Sequence, residues 1–130
     1  MQKLLKLSLP ILVWPGAVFF LHLVATYTGL YWQYRWLDTP FHLAGGMSIA
    51  LATYFWLRNI AKPNWILWLL LITVTGTVAV LWEFAEYIGD EWFHVYMQIG
   101  LFDTLKDLYC GLVGAIIVTL VVIIKSLKKP

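Results

Sequence analysis

Apolar residues in this chain occur in four long runs that are separated by short, more polar connections. The runs cover about residues 7–30, 41–57, 65–88 and 105–124. A membrane-spanning helix needs about 20 mainly apolar residues, with about 17 at the short end, so each run is long enough to span. The pattern predicts an all-α polytopic membrane protein, a bundle of four transmembrane helices in which residues 1–130 form a single domain.

The connections contain signals that end or start helices. The second run follows Pro40, a residue that suits the first turn of a helix. Residues 58–64 form a short turn that contains Pro63. Residues 90–102, DEWFHVYMQIGLF, are amphipathic. They are predicted to lie on the outer membrane surface or to fold over the end of the bundle.

Composition supports residence in a lipid bilayer. The chain is 62% hydrophobic and 12% charged, with a mean hydropathy of +0.79, whereas soluble domains carry about 25% charged residues. The net charge is only +2, and the basic residues lie mainly near the chain ends and in one loop, so nucleic-acid binding has no support. The single Cys110 excludes an internal disulfide and is expected to pack as a small apolar group.

The basic residues predict how the bundle is oriented. In a four-span arrangement seven of the nine fall on one side: Lys3, Lys6, Arg58, Lys62, Lys125, Lys128 and Lys129. Only Arg35 and Lys106 fall on the other side. The positive-inside rule therefore predicts a multi-pass protein of the cytoplasmic (inner) membrane with both termini inside. The first run is interpreted as a retained span, because it is long for a signal peptide and no A-x-A-like site follows.

Acidic residues have the opposite distribution, and their spacing is regular. All seven fall on the predicted outer side or in the outer part of a span: Asp38, Glu83, Glu86, Asp90, Glu91, Asp103 and Asp107. Spacings of three or four residues, which place side chains on one helical face, pair Asp38 with His42, Glu83 with Glu86, and Asp103 with Asp107. Small residues continue these faces, including Gly46, Gly76, Gly111 and Gly114. Since small residues line packed faces between membrane helices, the carboxylates are predicted to converge inside the outer half of the bundle.

This convergence predicts a metal site, because ionisable groups inside spans are costly and tend to be functional. The predicted ligands are Asp38, His42, Glu83, Glu86, Asp103 and Asp107. Such a mixed oxygen and nitrogen set suits Zn, Mn, Fe or Mg. Glu83 and Glu86 are the predicted catalytic residues, acting as general base toward a metal-activated water. Structural polar packing and simple interfacial acids are the alternative interpretations.

Several polar residues near this site have open roles. His22 lies in the outer half of the first run, where a histidine packed by hydrogen bonds competes with a site member. His94 is favoured as an interfacial anchor. Asp90 and Glu91 are expected to be partly exposed and are left outside the site, while Lys106 is expected either to neutralise Asp107 or to extend toward the interface.

Three segments resemble the YjdF-type small inner-membrane proteins: LDTPFHLAGGMSIAL, LWEFAEYIGD and FDTLKDLYCGLVGAI. Proteins of that type carry a D-x-x-x-H-x-x-x-G motif, an E-x-x-E motif and a D-T-x-x-D motif before a small-residue helix. The order of the motifs is more distantly similar to VanZ-like proteins. The resemblance covers about residues 36–118 and implies a fold and polar positions but no reaction. Those positions are Asp38, His42, Gly46, Glu83, Glu86, Asp103 and Asp107.

Three functions compete at this point. The first is a small membrane metalloenzyme that acts on a lipid or envelope substrate at the outer leaflet. The second is a cation- or proton-binding transport protein, although the inner halves of the third and fourth runs contain no ionisable group for a relay. The third is a non-catalytic assembly or sensor subunit, for which a protein partner or a homo-oligomer is expected. A nucleophile constellation, a phosphate loop and a redox cysteine pair are all missing from the sequence.

Overall fold

The structure, a computed structural model, describes residues 2–61 and 64–128, with side chains from residue 11 onward. All regular elements in these ranges are helical: α1 (Gln2–Tyr27), α2 (Leu30–Gln33), a 3₁₀ turn (Arg35–Leu37), α3 (Asp38–Leu57), α4 (Asn64–Phe93) and α5 (Leu101–Leu127). The prediction of an all-helical chain is confirmed for this part of the protein. The four predicted runs correspond to α1, α3, α4 and α5.

Several helix ends differ from the predicted ends: α3 begins at Asp38 instead of residue 41, and α5 covers Leu101–Leu127 instead of residues 105–124. The ends of the first and third runs differ as well. The first run ends early, at Tyr27, because Gly29 adopts a left-handed backbone (φ 71°) that redirects the chain into α2. The third run continues beyond residue 88 to Phe93. Residues 90–102 therefore divide among three elements: residues 90–93 belong to α4, residues 94–100 are irregular, and residues 101–102 begin α5. Their location at the membrane surface stays a prediction. Gly100, with φ 120°, directly precedes α5.

The closest helix packing in the bundle is between α3 and α5. A Cβ added to Gly46 would clash with the backbone of Gly111, and one added to Gly114 would clash with the backbone of α3. Small residues thus allow the two helix backbones to touch, as is common between membrane helices. Below this contact the buried apolar core of the pair consists of Ala50, Ala115 and Val118.

The remaining helices are arranged around this pair. Helix α4 packs against both α3 and α5, whereas α1 packs against α3, so α1 and α4 face each other across a gap. Side-chain contacts bring the start of α3 and the start of α5 to the last turns of α4. We call this end of the bundle the acidic end. A second apolar cluster lies near the opposite end of α4 and contains Ala61, Leu67 and Leu71.

Two described helices, α4 and α5, are long and apolar enough to cross a membrane by length and composition, and Ile11–Tyr27 is apolar but shorter. Helix α3 is less apolar because it contains Asp38, His42 and several small or hydroxyl residues. The four-span topology and its orientation therefore stay predictions. Of the basic residues on which the orientation depends, Lys62 and Lys129 lie outside the described residues, as do the side chains of Lys3 and Lys6.

Candidate metal centre

His42, in the second turn of α3, lies among carboxylates from three helices. Its Nε2 atom is 3.3 Å from Asp38 Oδ1, one turn earlier on the same helix. The same atom is 3.9 Å from Asp107 Oδ2 and 4.0 Å from Glu86 Oε1. Its Nδ1 atom is 3.9 Å from Glu83 Oε1. Both nitrogens of this one imidazole therefore face acidic oxygens.

Helical periodicity explains why these side chains meet. Residues three or four apart share a helical face, which places Asp38 with His42 on α3 and Glu83 with Glu86 on α4. Asp107 precedes Gly111 by four residues, on the face of α5 that packs tightly against α3. The close glycine contact between α3 and α5 thus also brings Asp107 to the imidazole.

Three of the carboxylates are almost completely removed from solvent. The exposed fraction is 2% for Asp107, 4% for Glu86 and 6% for Glu83. Within the described part of the chain, Glu83 Oε1 and Asp107 Oδ1 are buried without a hydrogen-bond partner. A buried, unpaired carboxylate oxygen costs several times more free energy than a hydrogen bond contributes. Glu83 Oε1 therefore requires a proton or a cation in the folded protein, whereas Asp107 Oδ1 has the Lys106 ammonium 3.5 Å away.

The other oxygens of the two glutamates are held by neighbouring side chains. The indole Nε1 of Trp82 donates a hydrogen bond to Glu86 Oε1 at 2.6 Å. The side-chain amide of Gln98 donates to Glu83 Oε2 at 3.2 Å and to the Glu83 backbone oxygen at 3.1 Å. These bonds fix the orientation of both carboxylates, which leaves Glu83 Oε1 directed toward the imidazole.

Lys106 is the one basic side chain in contact with the cluster among the described residues. Its Nζ atom lies 2.6 Å from Asp103 Oδ1, 3.5 Å from Asp107 Oδ1 and 3.6 Å from Asp38 Oδ2. Asp103 also lies 3.4 Å from the backbone nitrogen of Ile99, which donates to its Oδ2. One lysine thus faces three aspartates, and its contact with Asp103 is the shortest.

The cluster contains two groups of three potential metal ligands, which share His42. One group is Asp38, His42 and Asp107, and the other is His42, Glu83 and Glu86. The ligand atoms in each group lie within 4.8 Å of one another. Ligand atoms around an ion with bonds of about 2.1 Å stand about 3.0–3.4 Å apart, so small side-chain movements would close either set. Five of the six predicted ligands are in these groups, and Asp103 is not.

His22 lies beside the cluster, outside both ligand groups. Its Nδ1 atom is 2.8 Å from the Tyr31 hydroxyl, and its ring packs edge-on against Trp82 with the ring centroids 4.9 Å apart. Burial, and next the nearby Asp38 carboxylate, raise the pKa of the Tyr31 phenol. Tyr31 therefore keeps its proton at neutral pH, and its hydroxyl shares a hydrogen bond with the imidazole. His22 has the packed, hydrogen-bonded environment that was one of its two interpretations.

Residues 94–100, which we call the strap, fold back over the end of α4. The Asp90 carboxylate accepts hydrogen bonds from the backbone nitrogens of Met97, at 2.6 Å, and Gln98, at 2.8 Å. These two hydrogen bonds place the Gln98 side chain over Glu83. His94 and Glu91 are exposed, whereas Asp90 is half-buried and supports the strap.

Sequence reasoning missed Trp82, Gln98 and Tyr31 as partners of the site. The sequence spacing could have indicated Trp82, because Trp82 precedes Glu86 by four residues and so shares the helical face of Glu86. Gln98 and Tyr31 lie outside the long helices, where no periodicity indicates the direction of a side chain.

Comparison with known proteins identifies a family but indicates no activity. The family model described as "Predicted membrane protein (DUF2238)" matches residues 1–128. The chain belongs to this family. The match supports association with a lipid bilayer. It does not confirm the resemblance to YjdF-type proteins or show a relation to VanZ-like proteins. No curated protein and no solved structure matches the chain.

The site is chemically unusual because so many acids surround so few cations in an apolar helical bundle. Ionisable groups in such surroundings are costly and are generally kept for function. Carboxylates and an imidazole can together bind a divalent ion, hold a shared proton, or serve as a general base.

Proposed function

We propose that this membrane protein binds a divalent metal ion in the cluster around His42. The observation that carries the proposal is a pair of buried carboxylates, Glu83 and Asp107, each of which has one oxygen without a hydrogen-bond donor, Glu83 Oε1 and Asp107 Oδ1. Glu83 Oε1 and the other oxygen of Asp107, Oδ2, each lie 3.9 Å from a nitrogen of His42. An ion beside Nε2 would add positive charge next to Asp107, where Lys106 Nζ lies 3.5 Å from Oδ1, and would leave the Nδ1 proton of the same imidazole directed at Glu83. A hydrogen-bonded cluster would instead need several protons on closely spaced acids.

The two nitrogens of His42 suggest different roles for the acids. Asp38, Asp107 and Glu86 face Nε2, so this side is the better position for the ion. Nδ1 would then carry the proton and face Glu83, 3.9 Å away. A carboxylate in this position commonly fixes the tautomer of a metal-binding histidine. The candidate ions for such a set are Zn, Mn, Fe and Mg.

A bound ion would also explain two glutamates in one helical turn. A divalent metal lowers the pKa of a bound water, and a nearby carboxylate then accepts its proton. Glu86, which faces Nε2, is our candidate base for an ion on that side, and Glu83 is our candidate for an ion held in the group of His42, Glu83 and Glu86. The proposal is a small metalloenzyme with four spans and cytoplasmic termini, whose centre lies in the outer half of the membrane. Its substrate would be a lipid or envelope component at the outer leaflet.

A cation or proton transporter is the second candidate function, and the polar residues below the cluster speak against it. Of the four buried hydroxyls in the described residues, which include Thr53, those of Ser48, Thr75 and Thr119 donate to backbone oxygens of their own helices. Because these hydroxyls are engaged locally, they offer no continuous relay toward the opposite end. A non-catalytic assembly or sensor subunit would keep the same metal site and differ only in lacking turnover.

Metal analysis of the purified protein tests the proposal. The protein is stripped with a chelator in detergent, loaded with Mn²⁺ or Zn²⁺, desalted and analysed by mass spectrometry of the elements. We expect one ion per chain and an affinity at least about 10–100-fold lower in Glu83→Gln and Asp107→Asn. Glu91→Gln is the matched control, since Glu91 is an exposed acid on the same helix as Glu83.

Two outcomes would sink the proposal. One is a wild-type protein that keeps no more metal than a detergent blank. The other is equal metal binding in wild type, Glu83→Gln and Asp107→Asn when all three are folded by size-exclusion chromatography and far-ultraviolet circular dichroism.

A further inference from the structure

An apolar cavity of about 270 Å³ lies between α1, α3 and α4, directly beside the cluster. Its walls are mainly apolar and include Val18 of α1, Ile49 of α3 and Val78 of α4. His22 and His42 line its acidic end. The proposed metal centre does not use this space, although the cavity ends at the imidazole of that centre.

The cavity has the shape of a slot along the helices. On α1 its lining runs from Pro15 to His22, and on α4 from Thr75 to Trp82. Seven residues of helix correspond to about 10 Å at about 1.5 Å per residue. Ligand pockets usually have about 300–1,000 Å³, so the volume of about 270 Å³ lies just below that range. A narrow, apolar slot of that length suits a linear chain better than a compact ring system.

The slot also reaches the surface of the bundle that faces lipid in a membrane. Helices α1 and α4 meet at the acidic end through aromatic contacts with Trp82: its ring centroid is 5.8 Å from that of Phe19 and 4.9 Å from that of His22. Phe19 lines the slot and is nevertheless 48% exposed. A ligand can therefore enter from the side, between the two helices.

On the other side of His22 is a small, more polar cavity of about 40 Å³. Tyr31, Asp38 and Glu86 are among its lining residues. A space of this size holds one or two water molecules when polar groups surround it. The cluster thus borders two different spaces, an apolar slot and a polar recess, and the His22 ring lines both.

We propose that the slot binds one hydrocarbon chain of a bilayer lipid, with the oxygen-bearing head group of that lipid directed toward His42. The chain part of this inference depends on the slot alone, and the position of the head group rests on the proposed metal function. The lipid is then the substrate class of the centre. The polar recess provides water on the opposite side of the cluster.

Gly45 and Gly16 offer a matched pair of variants. A Cβ at either position meets nothing within 4 Å, so the first atom of a larger side chain fits equally well at both. Gly45 lines the slot, whereas Gly16 is exposed on α1 and is not a lining residue. Gly45→Leu should fill the slot, Gly45→Ala should fill it partly, and Gly16→Leu should leave it open.

The test uses phosphatidylethanolamine with a diazirine in one acyl chain, in vesicles of phosphatidylethanolamine and phosphatidylglycerol that contain the full-length protein. After irradiation, labelled residues are mapped by peptide mass spectrometry. We expect labels at Val18, Ile49 or Val78 in the wild type, lost in Gly45→Leu, reduced in Gly45→Ala and kept in Gly16→Leu. Labelling of the exposed Phe84 and Leu120 provides the internal reference and should stay constant.

Metal content is measured on the same samples, which separates the two proposals. A wild-type protein that holds metal but has no slot label overturns the lipid inference and leaves the metal centre standing. Slot labels in a protein without metal support the chain site and overturn the metal proposal. Equal slot labelling in wild type and folded Gly45→Leu also overturns the lipid inference.

Discussion

The interface between α3 and α5 and the gap between α1 and α4 are opposite solutions to helix packing within one bundle. Glycines bring α3 and α5 so close that a Cβ at Gly46 would clash with the opposite backbone. Between α1 and α4 the chain leaves a slot of about 270 Å³. The acidic cluster lies where the two regions meet. The tightly packed α3–α5 interface can hold the ligands in fixed positions, and the slot between α1 and α4 can admit a lipid chain beside them.

The largest effect is expected from one methyl group at the closed interface. Gly46→Ala should destabilise the protein by about 3 kcal/mol, the upper end for overpacking, because two backbones would have to separate. Gly45→Ala, one residue earlier, adds a methyl group into open space and should be neutral or gain up to about 1 kcal/mol of helix propensity. Thermal unfolding in detergent measures both variants, and equal stabilities would show that the two regions do not differ as described.

The strap gives a smaller and more local effect. Asp90→Ala removes two hydrogen bonds from backbone nitrogens to a charged group, which should lower the local opening free energy by about 2 kcal/mol. Amide hydrogen exchange at Met97 and Gln98 measures this change. Glu91→Ala, the exposed neighbour, serves as control. If amide hydrogen exchange rises equally in both variants, the hydrogen bonds to Asp90 do not hold the strap in place.

A substitution at Lys106 tests the electrostatics of the α3–α5 interface, because this lysine contacts Asp38 of α3 and both Asp103 and Asp107 of α5. Lys106→Met removes a cation that competes with a metal ion for these oxygens. We expect the metal-free protein to lose stability and the affinity for Mn²⁺ to rise by about tenfold. Isothermal titration calorimetry measures the affinity, and weaker binding in a folded Lys106→Met would mean that the lysine supports the site instead.

The smallest effect on stability is expected beside the gap between α1 and α4, at the pair of His22 and Tyr31. Tyr31→Phe removes the hydrogen bond to His22 and should cost about 1 kcal/mol. Tyr34→Phe is the control, since Tyr34 is exposed at the neighbouring turn. Thermal unfolding compares the two. A cost for Tyr34→Phe as large as that for Tyr31→Phe would remove the argument that the His22–Tyr31 pair is ordered.

The regions also differ in how far the sequence predicts them. Hydrophobic runs predicted the long helices, and spacings of three and four predicted the meeting of Asp38, His42, Glu83, Glu86 and Asp107. Their helical register is local information, so it is visible in the sequence. The ends were less accurate, since α4 continues beyond Asp90, whose side chain is used by the strap.

What the sequence could not predict depends on tertiary arrangement. Asp103 has the same spacing to Asp107 that a ligand pair would have, yet its closest partner is Lys106. The slot depends on α1 packing against α3 while remaining apart from α4, and no spacing within one helix reports that distance. Tyr31 and Gln98 reach the site from short or irregular segments, whose direction only the folded chain determines.

The central claim is a metal ion bound by carboxylates and His42, and X-ray absorption spectroscopy of the Mn²⁺- or Zn²⁺-loaded protein tests it most directly. We expect oxygen and nitrogen ligands at about 2.0–2.2 Å with the multiple-scattering signature of one imidazole, and without sulfur. That signature should disappear in His42→Ala and persist in His94→Ala, whose side chain is exposed. A spectrum of water ligands alone, or an imidazole signature that survives in His42→Ala, would contradict the account.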